Sequence, residues 1–157
     1  MATSIPALHV SSKSKVKGGG IVFISTRQDI ANPGTFTVKL AVSFDPAIND
    51  YPVGSIHIES RLSDGSVGNF DSTTIELINS HGKHNPTVFI SGQCKDSAQP
   101  DTKGCRYWLM IANNKTAPNQ EKVADVVSFT IHDRNGNRVA YGTGPVREGD
   151  FEVQAFN

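Results

Sequence analysis

Between Thr35 and Asp45 the chain alternates without a break. Phe36, Val38, Leu40, Val42 and Phe44 are large and apolar, while Thr35, Thr37, Lys39, Ala41 and Ser43 are small, polar or charged. A helix would scatter those five apolar side chains around its circumference, whereas an extended strand puts residues two apart on one face. This run therefore reads as a strand with one buried and one wetter face. The same alternation sets Ile56, Ile58, Ser60 and Leu62 against Ser55, His57, Glu59 and Arg61, and Val127, Phe129 and Ile131 against Ser128, Thr130 and His132. Less regular runs at 6–11, 20–26, 70–79, 86–93, 105–112, 138–143 and 150–156 bring the expectation to about ten short strands.

Valine and isoleucine total 26 residues against five leucines, the bias of pleated rather than helical surfaces. Asn32-Pro33-Gly34, Asp45-Pro46, Asp64-Gly65, Asn85-Pro86, Asn135-Gly136 and Gly149-Asp150 fall between the runs, where turns need left-handed residues or a fixed φ. Asn135-Gly136 is the strongest hairpin signal among them. Only Ala117–Asp125 reads as a short helix. Strands that alternate in this way belong to antiparallel sheets. The expectation is a single all-β domain over 1–157, with 1–15 as a flexible N-terminal segment. Its architecture is read as an antiparallel two-sheet β-sandwich of immunoglobulin-like or jelly-roll topology.

The 157 residues carry 15 Lys+Arg and 15 Asp+Glu, a net charge of zero. That balance argues against a nucleic-acid partner. No apolar run approaches the ~20 residues of a membrane span. The first residues, Met1-Ala2-Thr3-Ser4-Ile5-Pro6, show no basic and apolar signal pattern. Cys94 and Cys105 bracket a polar loop between two strand-like runs, a spacing that suits a disulfide. Asn114-Lys115-Thr116 fits a glycosylation acceptor. These features lean towards an extracellular or periplasmic setting, with the cytoplasm as the alternative.

No Gly-x-Ser-x-Gly, His-Glu-x-x-His, P-loop lysine or Cys-x-x-Cys pattern is present. Lys17-Gly18-Gly19-Gly20 reads as a flexible entry or a closely approached, bulged strand. Gly142-x-Gly144 precedes Pro145 and opens no helix. The chain thus reads as non-catalytic. Four groups of residues remain as candidate sites. His81 and His84, with Asp71 or Glu76, supply metal-ligand chemistry but are more simply a solvated turn. Asp45, Asn49 and Asp50 offer oxygen ligands to calcium on one loop. The stretch Ile48-Asn49-Asp50-Tyr51-Pro52 is similar to the Asn-Asp-x-x-Pro calcium linkers of cadherins, which there join two domains. His57, Glu59 and Arg61 form a charged stripe, read as a solvated face.

The most aromatic stretch is Arg106-Tyr107-Trp108-Leu109-Met110-Ile111. Its nearness to Cys94 and Cys105 puts Trp108 in the core, as in immunoglobulin domains. If instead Tyr107, Leu109 and Ile111 point inward, Trp108 joins Arg106 and Met110 outside as a platform for a sugar or a protein. Lys13, Lys15 and Lys17 read as protection of an edge strand, or as a segment that adds to another sheet.

The leading functional expectation is a non-catalytic binding module that recognises carbohydrate, or a protein surface, through its loops. Trp108, Arg106 and Tyr51 are its candidate ligand contacts, and calcium at Asp45, Asn49 and Asp50 its only candidate cofactor. The alternative is a structural or adhesive subunit that assembles by strand pairing with itself or with a larger surface protein. The sequence leaves monomer or homo-oligomer open. A small hydrolase or isomerase using His57 or Glu59 is the third class.

Overall fold

The computed structural model describes residues 13–24, 34–82, 86–97, 104–114 and 123–155. The strands are β1 (Ser14–Ile24), β2 (Gly34–Phe44), β3 (Val53–Leu62), β4 (Val67–Ser72), β5 (Leu77–His81), β6 (Thr87–Asp96), β7 (Cys105–Ala112), β8 (Val126–Asp133) and β9 (Arg138–Ala155). They hydrogen-bond in the order β4-β3-β2-β1-β9-β8-β7-β6-β5, all antiparallel, and β4 also pairs with β6. Opposite Phe70, Asp71 and Ser72 stand Asp96, Lys95 and Cys94, so this last ladder joins the two ends of the sheet.

The result is a closed eight-stranded antiparallel β-barrel with β5 as an extra strand beside β6. It corrects the expected two-sheet sandwich, immunoglobulin-like or jelly-roll. The strands are also fewer than expected among the described residues. Run 138–143 and the described part of run 150–156 are one strand, and run 70–79 divides into the end of β4 and the start of β5. Run 6–11 lies outside the described residues, as do 1–12 of the N-terminal segment and most of the helix expected over Ala117–Asp125.

The physical reason for the barrel lies in β9. Arg138–Pro145 pairs with β8 and Val146–Ala155 with β1. The ladder shifts register where Ile21 faces Glu148 and Val22 faces Val146. A strand that changes partner at a bulge turns a corner between sheets. Gly149 occupies that corner with φ +111°, and a Cβ there would meet the Gly19 carbonyl oxygen at 2.1 Å. The glycine run at 18–20 is thus a closely approached strand, one of its two sequence readings. Asp125, buried at 8% exposure, ties the corner down. Its carboxylate accepts the backbone N–H groups of Asn114 (2.9 Å) and Phe151 (3.3 Å), and its carbonyl accepts that of Val146 (2.8 Å).

The alternating runs bury the expected faces. Phe36, Val38, Leu40, Val42 and Phe44 of β2 join Ile56 and Ile58 of β3, Tyr107, Leu109 and Ile111 of β7 and Val127, Phe129 and Ile131 of β8. Phe36 and Phe129 meet across the interior at 4.8 Å between ring centroids. Eight strands leave an interior that side chains can fill, and here they fill it. The break between β4 and β5 has its own cause. At Gly92 a Cβ would stand 2.2 Å from the Thr74 carbonyl oxygen. That carbonyl turns inward over the glycine and accepts the Tyr107 hydroxyl at 2.9 Å, giving the phenol the partner a buried tyrosine needs. The backbone N–H groups of Thr73 and Thr74 donate to Gln93 O.

β1 lies between β2 and β9, so its lysines protect no edge; Lys17 instead pairs with Glu152 at 3.6 Å. Asp64 and Asp133 each accept backbone N–H groups of their own hairpin turns, from Ser66 and from Asn135 and Asn137. The Asn135-Gly136 hairpin forms as read, with Gly136 at φ +84°.

Replacing Asp125 with Ala leaves two amide donors without their acceptor. Urea denaturation should report a loss of about 2–6 kcal/mol, at about 1–3 kcal/mol per unsatisfied buried group. Asp125→Asn, which keeps one carbonyl acceptor, should lose less.

Candidate functional site

The outward positions of β6, β7 and β8 follow from the inward ones. With Tyr107, Leu109 and Ile111 buried, Arg106, Trp108 and Met110 stand on the outer face of β7. Trp108 is 44% exposed, which corrects the expectation that it packs in the core. Tyr107 takes the core place beside the disulfide strand pair. Antiparallel register then decides the neighbours of Trp108. Ser91 of β6 and Thr130 of β8 lie opposite it, and His132 lies opposite Arg106. The His132 ring meets the indole edge-on, 5.0 Å between centroids at 64°.

Arg106 is held by Glu76 from the β4–β5 connection, with guanidinium–carboxylate contacts of 3.1 and 3.3 Å. Both side chains are more than a third exposed, so the pair positions Arg106 more than it stabilises the fold. One residue further along β7, Cys105 faces Cys94 in register and is bonded to it. The disulfide closes the segment from Lys95 to Gly104 and anchors the end of β7 from which Arg106 and Trp108 project.

Two depressions meet on this face. One, of about 720 Å³, is lined by Trp108, Arg106, His132, Lys95, Arg134 and Gln93 among others. The second, of about 620 Å³, is lined by Tyr51 and Pro52 from the β2–β3 connection, by Val53 at the start of β3, by Glu76, and by Gln93. Thr73 and Gln93 border both. Of the residues chosen singly from the sequence, Trp108 and Arg106 therefore line one depression and Tyr51, 68% exposed, lines the other, with Thr73 and Gln93 between them. His132, Lys95, Arg134, Thr73 and Gln93 were not singled out. The signal for them is register across β6, β7 and β8, which becomes readable only once strand partners are known. A smaller hollow of about 130 Å³ lies near Ser60, Asp96 and Cys105, room for several waters or one small molecule.

The other candidates are distributed differently. Asp45 turns its carboxylate onto its own loop, accepting the Ala47 backbone N–H at 3.0 Å and lying 3.8 Å from Lys13. Asn49 donates its backbone N–H to the Asp45 carbonyl, and Asp50 is exposed. No group of three or more His, Cys, Asp or Glu side chains that could hold a metal occurs among the described residues. Asp71 is bonded to His57 Nδ1 at 2.6 Å and Glu76 to Arg106, so neither is turned to His81; His84 lies outside the described residues. Glu59 pairs with Arg61 at 3.2 Å, so the β3 stripe is engaged in one surface ion pair and one His–Asp hydrogen bond. The Asn114 side-chain amide donates to Ala124 O, and the rest of its glycosylation triplet lies outside the described residues. No helix among the described residues is long and apolar enough to cross a membrane.

Comparison with protein-family models, with curated proteins and with solved structures returned no match for the chain.

Two measurements test this geometry. Cys94→Ser with Cys105→Ser, or reduction, should lower stability by about 3 kcal/mol on the loop-entropy estimate, read from denaturation curves with and without reductant. The second concerns Asp133 beside the groove. The backbone N–H of Asn137, followed by that of Asn135, holds its carboxyl below the usual carboxylate range. Its folded value is thus below its unfolded value of about 3.9. The stabilisation is present above that pH and is lost as pH falls through the lowered folded value. Asp133→Asn should therefore flatten the acid limb of the stability curve below about pH 4, followed by circular dichroism.

Proposed function

We propose that the protein is a non-catalytic binding protein that recognises carbohydrate on the outer face of β6, β7 and β8. The reading rests on one observation above the others: an indole 44% open to solvent on a rigid sheet, braced by His132 and bordering a groove with polar walls. An aromatic ring in such a place offers the apolar C–H face of a sugar a large contact that costs little entropy on binding. Arg106, Gln93 and Thr73 supply hydrogen-bonding groups for the hydroxyls around it. Tyr51 supplies a second ring in the adjoining depression, which favours an oligosaccharide over a single residue.

This differs from the loop-borne recognition expected of a sandwich. The contacts come from strand faces and from the β2–β3 and β4–β5 connections. Assembly by strand pairing, the alternative, needs strand edges, and barrel closure uses the edges of eight strands. The disulfide suits an oxidising compartment, so the setting we propose is extracellular or periplasmic.

Trp108 is the sole tryptophan, so its emission reports on this site alone. A panel of neutral and acidic oligosaccharides should include ligands that quench or shift that emission saturably, with matching heats by isothermal titration. Trp108→Ala should weaken the same ligands tenfold or more by calorimetry, about 1.4 kcal/mol, with the circular dichroism spectrum retained. Tyr51→Ala should weaken longer ligands more than short ones. An emission spectrum that no saccharide in the panel alters at millimolar concentration defeats the proposal.

A further inference from the structure

Several of the barrel's surface charges are arranged in opposite-sign couples. Lys17 faces Glu152, Lys13 faces Asp45, His57 faces Asp71 and Arg61 faces Glu59. The Trp108 depression departs from that pattern. Lys95, Arg106 and Arg134 line it together with the His132 imidazole, against a single carboxylate, Asp133. Arg106 is already paired with Glu76. Asp133 is occupied by the backbone N–H groups of Asn135 and Asn137 and by the Asn137 side-chain amide at 3.4 Å. Lys95 and Arg134, in contrast, have no ion-pair partner among the described residues. Among the described residues, Lys15, Lys39, Arg138 and Arg147 also lack an ion-pair partner but lie elsewhere on the barrel; Lys95 and Arg134 are the unpaired cations that line the depression holding the exposed indole.

We infer that the ligand of this groove is an acidic saccharide, stacked on Trp108 with its carboxylate or sulfate directed to Arg134 and Lys95. The inference rests on the carbohydrate reading above and adds the charge class of the ligand. Guanidinium and ammonium groups that lack an internal partner carry no cost of breaking an ion pair when an external anion arrives. Arg106, fixed by Glu76, keeps its remaining N–H groups for hydroxyls, so the two halves of the groove divide the ligand: ring on the indole, charge on the hairpin side. A nucleic-acid strand fits the arrangement less well. Its phosphates need cations strung along a track, with several rings for successive bases, and here the cations cluster at one end beside one indole.

The test is a titration of Trp108 emission with four probes of similar length: oligogalacturonate, a sulfated chondroitin oligosaccharide, a neutral galacto-oligosaccharide and oligothymidylate. The expected result is that one acidic saccharide binds at least tenfold more tightly than the neutral one. The tighter of the two identifies carboxylate or sulfate as the recognised group. That advantage should shrink to about threefold or less at 0.5 M NaCl, where the screening length falls below about 5 Å. Lys95→Gln and Arg134→Gln, both exposed and remote from the core, should each lose about three- to tenfold for the acidic ligand and leave the neutral one unchanged.

Equal binding of neutral and acidic saccharides, or full acidic binding by the Lys95→Gln/Arg134→Gln double variant, overturns the inference and leaves the carbohydrate reading standing. Oligothymidylate binding more tightly than either acidic saccharide also overturns it. Emission that responds to no saccharide, neutral or acidic, removes both.

Discussion

β9 hydrogen-bonds to β8 with its first half and to β1 with its second, and the ladder survives that change of partner because of two residues. Gly149 takes a backbone conformation that a side chain would obstruct, within contact distance of Gly19 and Gly20. Asp125 supplies acceptors for amides that the bend would otherwise strand. A buried carboxylate is costly unless its hydrogen bonds are made, and here they hold three parts of the chain together: the end of β7, the start of β8 and both sides of the bend. With the corner in place, the β4–β6 ladder can close the ring, and the edges of its eight strands, which would otherwise invite association, are used up.

Closure also accounts for where function can reside. The interior is occupied by branched aliphatic and aromatic side chains, so the barrel is a scaffold and not a container. Recognition is left to the outside. On the β1–β4 side, Lys17 pairs with Glu152 and Arg61 with Glu59. On the β6–β8 side the outward positions carry Phe89, Trp108 and Met110, with Arg106 and His132 towards one end. The β4–β5 connection, drawn in over Gly92 by Tyr107, brings Thr73, Thr74 and Glu76 to the edge of that face. A single buried phenol therefore links the packing of the core to the wall of the groove. Burial also pushes the Tyr107 phenol above its ordinary pKa, so it stays a donor where free tyrosine ionises.

Particular residues show how far the sequence could be read. The faces of β2, β3, β7 and β8 followed from period 2 alone, because a strand with one face in a core must alternate whichever architecture encloses that core. The same fact explains the error in fold class: a sandwich and a barrel impose identical alternation. Trp108 shows the limit at a single residue. Its parity with Arg106 and Met110 marked it as outward, while its nearness to the cysteines suggested the core, and parity was the better guide because it reflects backbone geometry.

Local chemistry, then, was determined by the sequence: which segments extend, which side chains share a face, where the Asp-Gly and Asn-Gly turns fall, and that two cysteines could bridge one loop. These depend on interactions a few residues apart. Whether two runs near the C-terminus form one strand or two, and which strands lie side by side, depended on contacts such as Asp125 with Phe151 and Cys94 with Ser72, distant along the chain. The depression joining Trp108, Arg134 and Lys95 belongs to that second class. Alternation specifies a side chain's face but not its neighbours on the next strand, and only the closed register decided those.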